Sequence, residues 1–213
     1  MARVLCLHGL GGSGATMWPV VGTLNADDHE VLAPTLPGHG GLPDELVGVG
    51  WQDWVDAAEG WPADVVVGQS MGAMVALTLA AQGRCRGVVA INPLAADPDA
   101  IDGLEWRISR GHEWLDVGPS TVGEFALERV PLTALLAMHQ GIAALDLGSV
   151  TAPVLIVTSA NDNVVDPASS DTVAAALGGS VQRLTLGHGG HVATLDADRN
   201  TLCRAVRAFV ASA

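Results

Sequence analysis

Lysine and tyrosine are absent from this 213-residue chain, and all ten basic side chains are arginine. That absence excludes Schiff-base chemistry on a lysine and the phosphate-holding lysine of a P-loop. Basic residues are also few: 10 against 23 acidic ones, a formal net charge of −13. Such a balance argues against a basic face for nucleic acid or for an anionic membrane, and solubility is the plainer reading of it. The three cysteines, Cys6, Cys85 and Cys203, are widely spaced and suggest neither a disulfide framework nor a metal site. Cys6 lies in an apolar run and reads as a small buried hydrophobe. No stretch is long enough to span a bilayer, and the run Val4–Leu7 is too short for a signal peptide and leads straight into glycines. The expectation is a reduced, cytoplasmic setting, with no nucleic-acid partner and no stable membrane insertion. Composition carries no signal about oligomeric state.

What is present is a chain 49% hydrophobic, long enough for one well-buried core and marginal for two. One domain over residues 1–213 is expected. Short apolar runs at Val4–Leu7, Val31–Ala33, Val65–Val67, Val88–Ile91, Val154–Val157 and Val181–Leu186 read as strands. Most are continuous rather than alternating, as parallel strands covered on both faces require. Helical patterns fill Ala15–Asn25, Trp51–Trp61, Met71–Gln82, Pro167–Leu177 and Asp198–Ala211, with Asp196 placed to cap the last. This βαβα rhythm predicts an α/β fold: a doubly wound, mostly parallel sheet of about six strands flanked by helices, its site at the strand carboxyl ends. Between Asn92 and Pro153 the rhythm breaks. No strand is expected there, only a helix over Pro131–Leu145, and the interval (about 94–150) reads as a small inserted cap.

Gly68-Gln69-Ser70-Met71-Gly72 stands between the strand run Val65–Val67 and the helical run that starts at Met71. A nucleophile elbow has that placement: strand, sharp turn, helix. The serine sits in strained backbone at the tip, so its neighbours two residues away must be nearly free of side chain. Gly68 and Gly72 meet that need. The bland alternative is an ordinary turn with Ser70 as helix N-cap.

An acyl-transfer serine needs a base and a carboxylate to orient it, and in hydrolases of this type the chain order is Ser, Asp or Glu, then His. Asp162 follows the strand run Val154–Val157, at the sheet edge that carries Ser70. His191 follows Val181–Leu186 in the loop Gly187-His188-Gly189-Gly190-His191. Asp166 is the rival acid, although its place before Pro167 fits a helix start. His188 is the rival base. As a metal pair the two histidines lack further ligands nearby, so neither metal nor other cofactor is expected. His8 and His39 read as structural residues bonding loop backbone, and His112 and His139 as cap residues that are solvated, packed or in reach of substrate.

His8-Gly9-Leu10-Gly11-Gly12 resembles the oxyanion-loop motif of α/β-hydrolases, and Pro34-Thr35-Leu36-Pro37-Gly38-His39-Gly40 resembles their next loop. Asp162–Pro167, His191–Asp196, and Glu45-Leu46-Val47 followed by Trp51-Gln52-Asp53-Trp54 are similar to bacterial carboxylesterases and monoacylglycerol lipases. The similarity covers nearly the whole chain and is patchy in the cap. It implies a minimal α/β-hydrolase sheet that starts at what is usually the third strand. It also implies Asp162 as triad acid and His191 as base. Two backbone N–H donors to the oxyanion are expected, from Leu10 and from Met71.

The expected reaction is hydrolysis of a small-molecule carboxylic ester through an acyl-enzyme, with short- to medium-chain acyl groups and monoacylglycerols as candidate substrates. Trp106, Trp114, Leu135 and Met138, with Leu115, are candidate walls of an acyl pocket; apolar residues at helical spacing equally pack onto the body. A thioesterase, or a lactone or amide hydrolase, would use the same triad. Coenzyme A or carrier-protein substrates would favour a basic entrance, for which Arg107, Arg110 and Arg129 are the cap arginines available. A non-catalytic receptor on the same fold is the alternative of another class.

Overall fold

β-Branched residues dominate the runs that become strands. In the computed structural model, which describes residues 1–118, 122–123 and 125–213, those runs lie side by side. In chain order the first elements are β1 (Arg3–Leu7), α1 (Trp18–Asn25), β2 (Glu30–Leu32), α2 (Trp51–Glu59), β3 (Val65–Gln69), α3 (Met71–Ala81) and β4 (Gly87–Ile91). Then come α4 (Pro98–Ser109), β5 (Trp114–Asp116), β6 (Arg129–Pro131), α5 (Leu132–Ala143), β7 (Val154–Ser159), α6 (Ala168–Ala176), β8 (Val181–Leu186) and α7 (Arg199–Ser212). Six strands form one sheet in the order β2-β1-β3-β4-β7-β8. Every pairing within it is parallel, as the unbroken apolar runs predict.

Alternate residues of each strand point to opposite faces. Leu5, Leu7, Val66, Val88 and Ile156 pack with Trp54 of α2, Met74 and Leu77 of α3, and Ile142 of α5. Val4, Cys6, Val65, Val67, Val89 and Val157 pack on the other side with Val20 and Leu24 of α1 and Val206 and Phe209 of α7. Burying each such side chain stabilises the fold by about 1.5–3 kcal/mol relative to exposure. Helix α3 is buried from Met71 through Leu77, so it needs apolar residues all round rather than along one stripe. Strand β8 is an edge, and Gln182, Arg183 and Thr185 face solvent along it. Among the described residues no helix is long and apolar enough to cross a membrane.

The insert differs from expectation. It holds two strands, β5 and β6, paired antiparallel from Trp114↔Pro131 to Asp116↔Arg129. Each is three residues long, too short to show a period, and one contains a proline. It also holds α4, which opens with Pro98 and is capped by Asp97, whose Oδ1 accepts the Ala100 N–H at 3.0 Å. The insert bonds to the body: Leu127 donates its N–H to the Gly11 carbonyl at 2.8 Å.

Two helix starts also need correction. Ala15–Asn25 is a 3-10 turn (Gly14–Met17) followed by α1, with Pro19 in the first turn, where its missing N–H leaves no bond unmade. Asp196 does not cap α7. Its carboxylate accepts N–H groups from Gly190 and Ala197, and Asp198 takes the N-cap position instead. Glycine-rich backbone next to a carboxylate offers donors closer than the helix end does.

Candidate active site

Ser70 lies between β3 and α3 with φ +55° and ψ −123°, a region that non-glycine residues rarely occupy and that stores strain. A Cβ on Gly68 would run into the Gly72 carbonyl, and one on Gly72 would run into the carbonyls of Leu7 and His8. Both obstacles are backbone, so only glycine fits at either position. A Cβ on Gly9 would stand 3.2 Å from Ser70 Cβ. The loop of residues 8–12 therefore passes directly over the serine.

His191 meets Asp162 across 29 residues of sequence: Nδ1 donates to Asp162 Oδ2 at 2.7 Å. The two side chains are 14% and 2% exposed. The second carboxylate oxygen accepts N–H groups from Val164 and Val165 at 2.8 and 2.9 Å. Burial pushes the Asp162 carboxyl up, but the His191 hydrogen bond and charge and the two backbone donors outweigh it. The net shift is downward, and Asp162 stays ionised. With Nδ1–H committed to Asp162, Nε2 is the ring nitrogen left with a lone pair.

The loop of residues 8–12 is held by a buried histidine. His8 Nε2 accepts the Leu36 N–H at 3.0 Å, which leaves Nδ1 as the donor to the Gly9 carbonyl at 2.8 Å. Burial first, then the neighbouring His39, lowers its pKa to about 3, against the Gly9 bond. His39 stands edge-on to both His8 and Trp54, and Trp54 Nε1 donates to the Pro37 carbonyl at 3.1 Å. His8 and His39 are thus structural, as expected.

Leu10, Ser70, Leu135, Met138 and His191 line one cavity of about 830 Å³, within the usual range for small-molecule sites. Met71, directly after Ser70, opens α3, so its N–H lies at the positive end of that helix; it is not among the described residues that line the cavity. Trp106 and Trp114 are a correction: neither is among the described residues that line the cavity. Trp106 is 58% exposed under the Arg110 guanidinium. Trp114 carries the Arg129 guanidinium 4.2 Å from its ring centroid. His188 is 83% exposed and pairs with Asp198. Asp166 lines the cavity, and its Oδ1 accepts the Ala168 N–H, as a residue at a helix start does. His139 also lines the cavity, whereas His112 is exposed. Among the described residues no three His, Cys, Asp or Glu side chains group as metal ligands would.

The sequence reading missed Gln69 and Asn92. Gln69 Oε1 accepts both N–H and hydroxyl of Thr194 at 3.3 Å, linking the elbow to the chain after His191. Asn92 donates to the His191 carbonyl at 2.8 Å. The one available signal was a polar side chain at the end of each buried apolar strand, which must find partners.

A family model described as the alpha/beta hydrolase family matches residues 4–202. The thermostable monoacylglycerol lipase of Bacillus sp. (strain H-257) is 29% identical over 213 residues, covering 92% of this chain and 85% of that one. The carboxylesterase of Bacillus subtilis (strain 168) is 25% identical over 224 residues, covering 97% and 91%. A solved structure from work on LipS and LipT, two metagenome-derived lipolytic enzymes, superposes with a TM-score of 0.88 at 28% identity, covering 99% and 94%.

Proposed function

The chain belongs to the α/β-hydrolase family, and from that premise we propose that it hydrolyses neutral carboxylic esters through a Ser70–His191–Asp162 triad. One observation carries the reading: His191, with its ring held by Asp162 at 2.7 Å, lines the same cavity as the strained Ser70.

Ser70 Oγ attacks the ester carbonyl while His191 Nε2 takes its proton. The oxyanion accepts the N–H groups of Leu10 and Met71, each worth about 2.7–4 kcal/mol in such a site. Asp162, ionised, orients the imidazole and stabilises the imidazolium. Collapse of the tetrahedral intermediate expels the alcohol, protonated by His191, and leaves an acyl-Ser70. Water, deprotonated by His191, then releases the acid and restores the serine.

The cavity lining supports a neutral substrate. Its acidic members include Asp97, Asp166 and Asp196, and no arginine is among the described lining residues. Arg129 is engaged by Asp44 and Trp114, and Arg110 by Trp106. A polyanionic thioester of coenzyme A therefore finds repulsion rather than a basic entrance. Short- to medium-chain acyl esters, monoacylglycerols among them, fit the apolar wall of Leu135 and Met138. They are also in keeping with the named Bacillus relatives.

The test is turnover of p-nitrophenyl esters from acetate to dodecanoate by wild type beside Ser70→Ala. Serine-dependent multiple turnover is expected, with a chain-length optimum set by the cavity. Turnover by Ser70→Ala would remove Ser70 as nucleophile. Binding without turnover across the series, by folded protein, would favour the receptor.

A further inference from the structure

Two consecutive residues, Ile91 at the end of β4 and Asn92 just beyond it, bond to all three segments that carry the proposed triad. Ser70 donates its N–H to the Ile91 carbonyl at 2.8 Å. Asn92 Nδ2 donates to the His191 carbonyl at 2.8 Å and to Ser159 Oγ at 3.1 Å. Asn92 Oδ1 accepts the Ser159 N–H at 2.7 Å. Ser159 ends β7, and its carbonyl accepts the N–H of Asp162 at 3.2 Å. One side chain thus joins the loop of the base to the strand end that launches the acid.

The orientation of this amide is unambiguous, because a backbone N–H faces its oxygen and a carbonyl faces its nitrogen. Asn92 is 2% exposed and sits at φ +47°, a left-handed conformation that asparagine tolerates better than most residues. Its own N–H donates to Val157 at 2.8 Å. It is not among the described residues lining the cavity. The chain just before His191 is Gly187-His188-Gly189-Gly190, whose three glycines carry more backbone freedom than other residues would. The loop is tied down up to Gly190, by Asn161 on the Gly187 carbonyl, Asp198 on the N–H groups of His188 and Gly189, and Asp196 on that of Gly190. None of these bonds reaches the His191 carbonyl, which Asn92 holds. Asp162 holds the ring; the main chain needs a separate anchor.

We infer that Asn92 is a positioning residue of the triad, fixing the His191 backbone against the strand that presents Asp162. The inference rests on the roles proposed above for Ser70, Asp162 and His191. It requires loss of Asn92 to slow proton transfer at Ser70 while leaving substrate binding alone.

The test uses Asn92→Gly and Asn92→Asp in the full chain with p-nitrophenyl butyrate. Glycine adopts φ +47° without strain, so Asn92→Gly removes only the side chain. Ionised aspartate keeps the shape and the acceptor for Ser159 but has no donor for the His191 carbonyl. Expected are a kcat lower by roughly a hundredfold and a KM within about twofold of wild type. The rate of Ser70 labelling by a fluorophosphonate should fall in parallel. The low-field proton resonance of the His191 Nδ1–H should shift or broaden. Ser70→Ala is assayed alongside. Turnover by that variant defeats the triad reading itself. An inactive Ser70→Ala with wild-type kcat in the Asn92 variants defeats only the positioning role, as does a raised KM with kcat unchanged. If Asn92→Gly does not fold, Asn92→Asp decides by the same readouts. Failure of both to fold would make Asn92 a general prop of the sheet and overturn the inference.

Discussion

His8 and Leu36 are joined by a hydrogen bond from the Leu36 N–H to His8 Nε2, 3.0 Å long and buried, while the other ring nitrogen of His8 holds the Gly9 carbonyl. A neutral imidazole therefore connects the loop that carries Leu10 to the loop of residues 34–40. Its pKa in the fold, about 3, lies below the ordinary 6.5, so the unfolded chain binds the proton more readily. The stability this ring contributes is complete above pH 6.5 and is lost as pH falls from there toward 3.

His8→Phe keeps the ring shape but leaves the Leu36 N–H and the Gly9 carbonyl unpaired. Stability near pH 7 should fall by about 2–6 kcal/mol, taking about 1–3 for each of the two buried orphans. The decline in stability between pH 6.5 and 3 should flatten. Urea unfolding across a pH series checks both; an unchanged slope would detach the acid sensitivity from His8.

Ser70 holds a positive φ, +55°, as the proposed nucleophile of an elbow would. Ser70→Gly should abolish turnover yet unfold at higher temperature than Ser70→Ala, because glycine relieves backbone strain worth about 1–3 kcal/mol. Thermal midpoints of the two variants, measured side by side, decide the matter. Equal midpoints would mean the elbow stores little.

Asp162→Asn retains the shape of the acid but favours the wrong imidazole tautomer, so kcat should drop by roughly 10⁴. The Asp162 carboxyl titrates below its ordinary 3.8 in the fold. Its stabilisation is therefore present above pH 3.8 and lost as pH falls through the lower, folded value. The variant's stability curve should lack that part of the acid-side fall. Steady-state kinetics and denaturant titrations between pH 2 and 5 report on the two effects separately.

Trp106 is exposed and not among the described lining residues, whereas Met138 lines the cavity. Trp106→Ala should leave kcat/KM within about twofold for every ester tested. Met138→Trp should move the chain-length optimum toward shorter acyl groups, and the added volume should destabilise the insert by about 1–3 kcal/mol. An optimum that follows Trp106 instead would relocate the acyl wall.

The sheet and the elbow were legible because each imposes a local rule on sequence. Strands covered on both faces need runs such as Val65-Val66-Val67, and a serine at positive φ needs Gly68 and Gly72 beside it. Asp162 and His191 were legible from their place in loops just past such runs. The ribbon of β5 and β6 was not: three residues a side, with Pro131 in one, carry no detectable alternation. Asn92 was invisible for another reason, since its side-chain partners lie 67 and 99 residues away. Asp196 and Asp198 both give their carboxylates to the loop, to the N–H of Gly190 and to those of His188 and Gly189, so neither side chain caps α7, a competition that spacing does not encode. Trp106 looked like a pocket residue because it is large and apolar; stacking with Arg110 leaves it content in solvent.

The insert leaves the sheet after β4 and returns at β7, and these two strands are nearest neighbours. Helix α5, which packs on the core through Ala134, Met138 and Ile142, already makes the crossover that such a parallel pair requires. The stretch of residues 94–130 ahead of it is therefore free to behave as a cassette. Lineages or engineers can splice different roofs into that slot, and among the described residues the attachments a new roof would meet include the Gly11 carbonyl, Ser169 Oγ and Asp44. Appetite for new substrates can then drift while Ser70, His191 and Asp162, the proposed triad, stay in register.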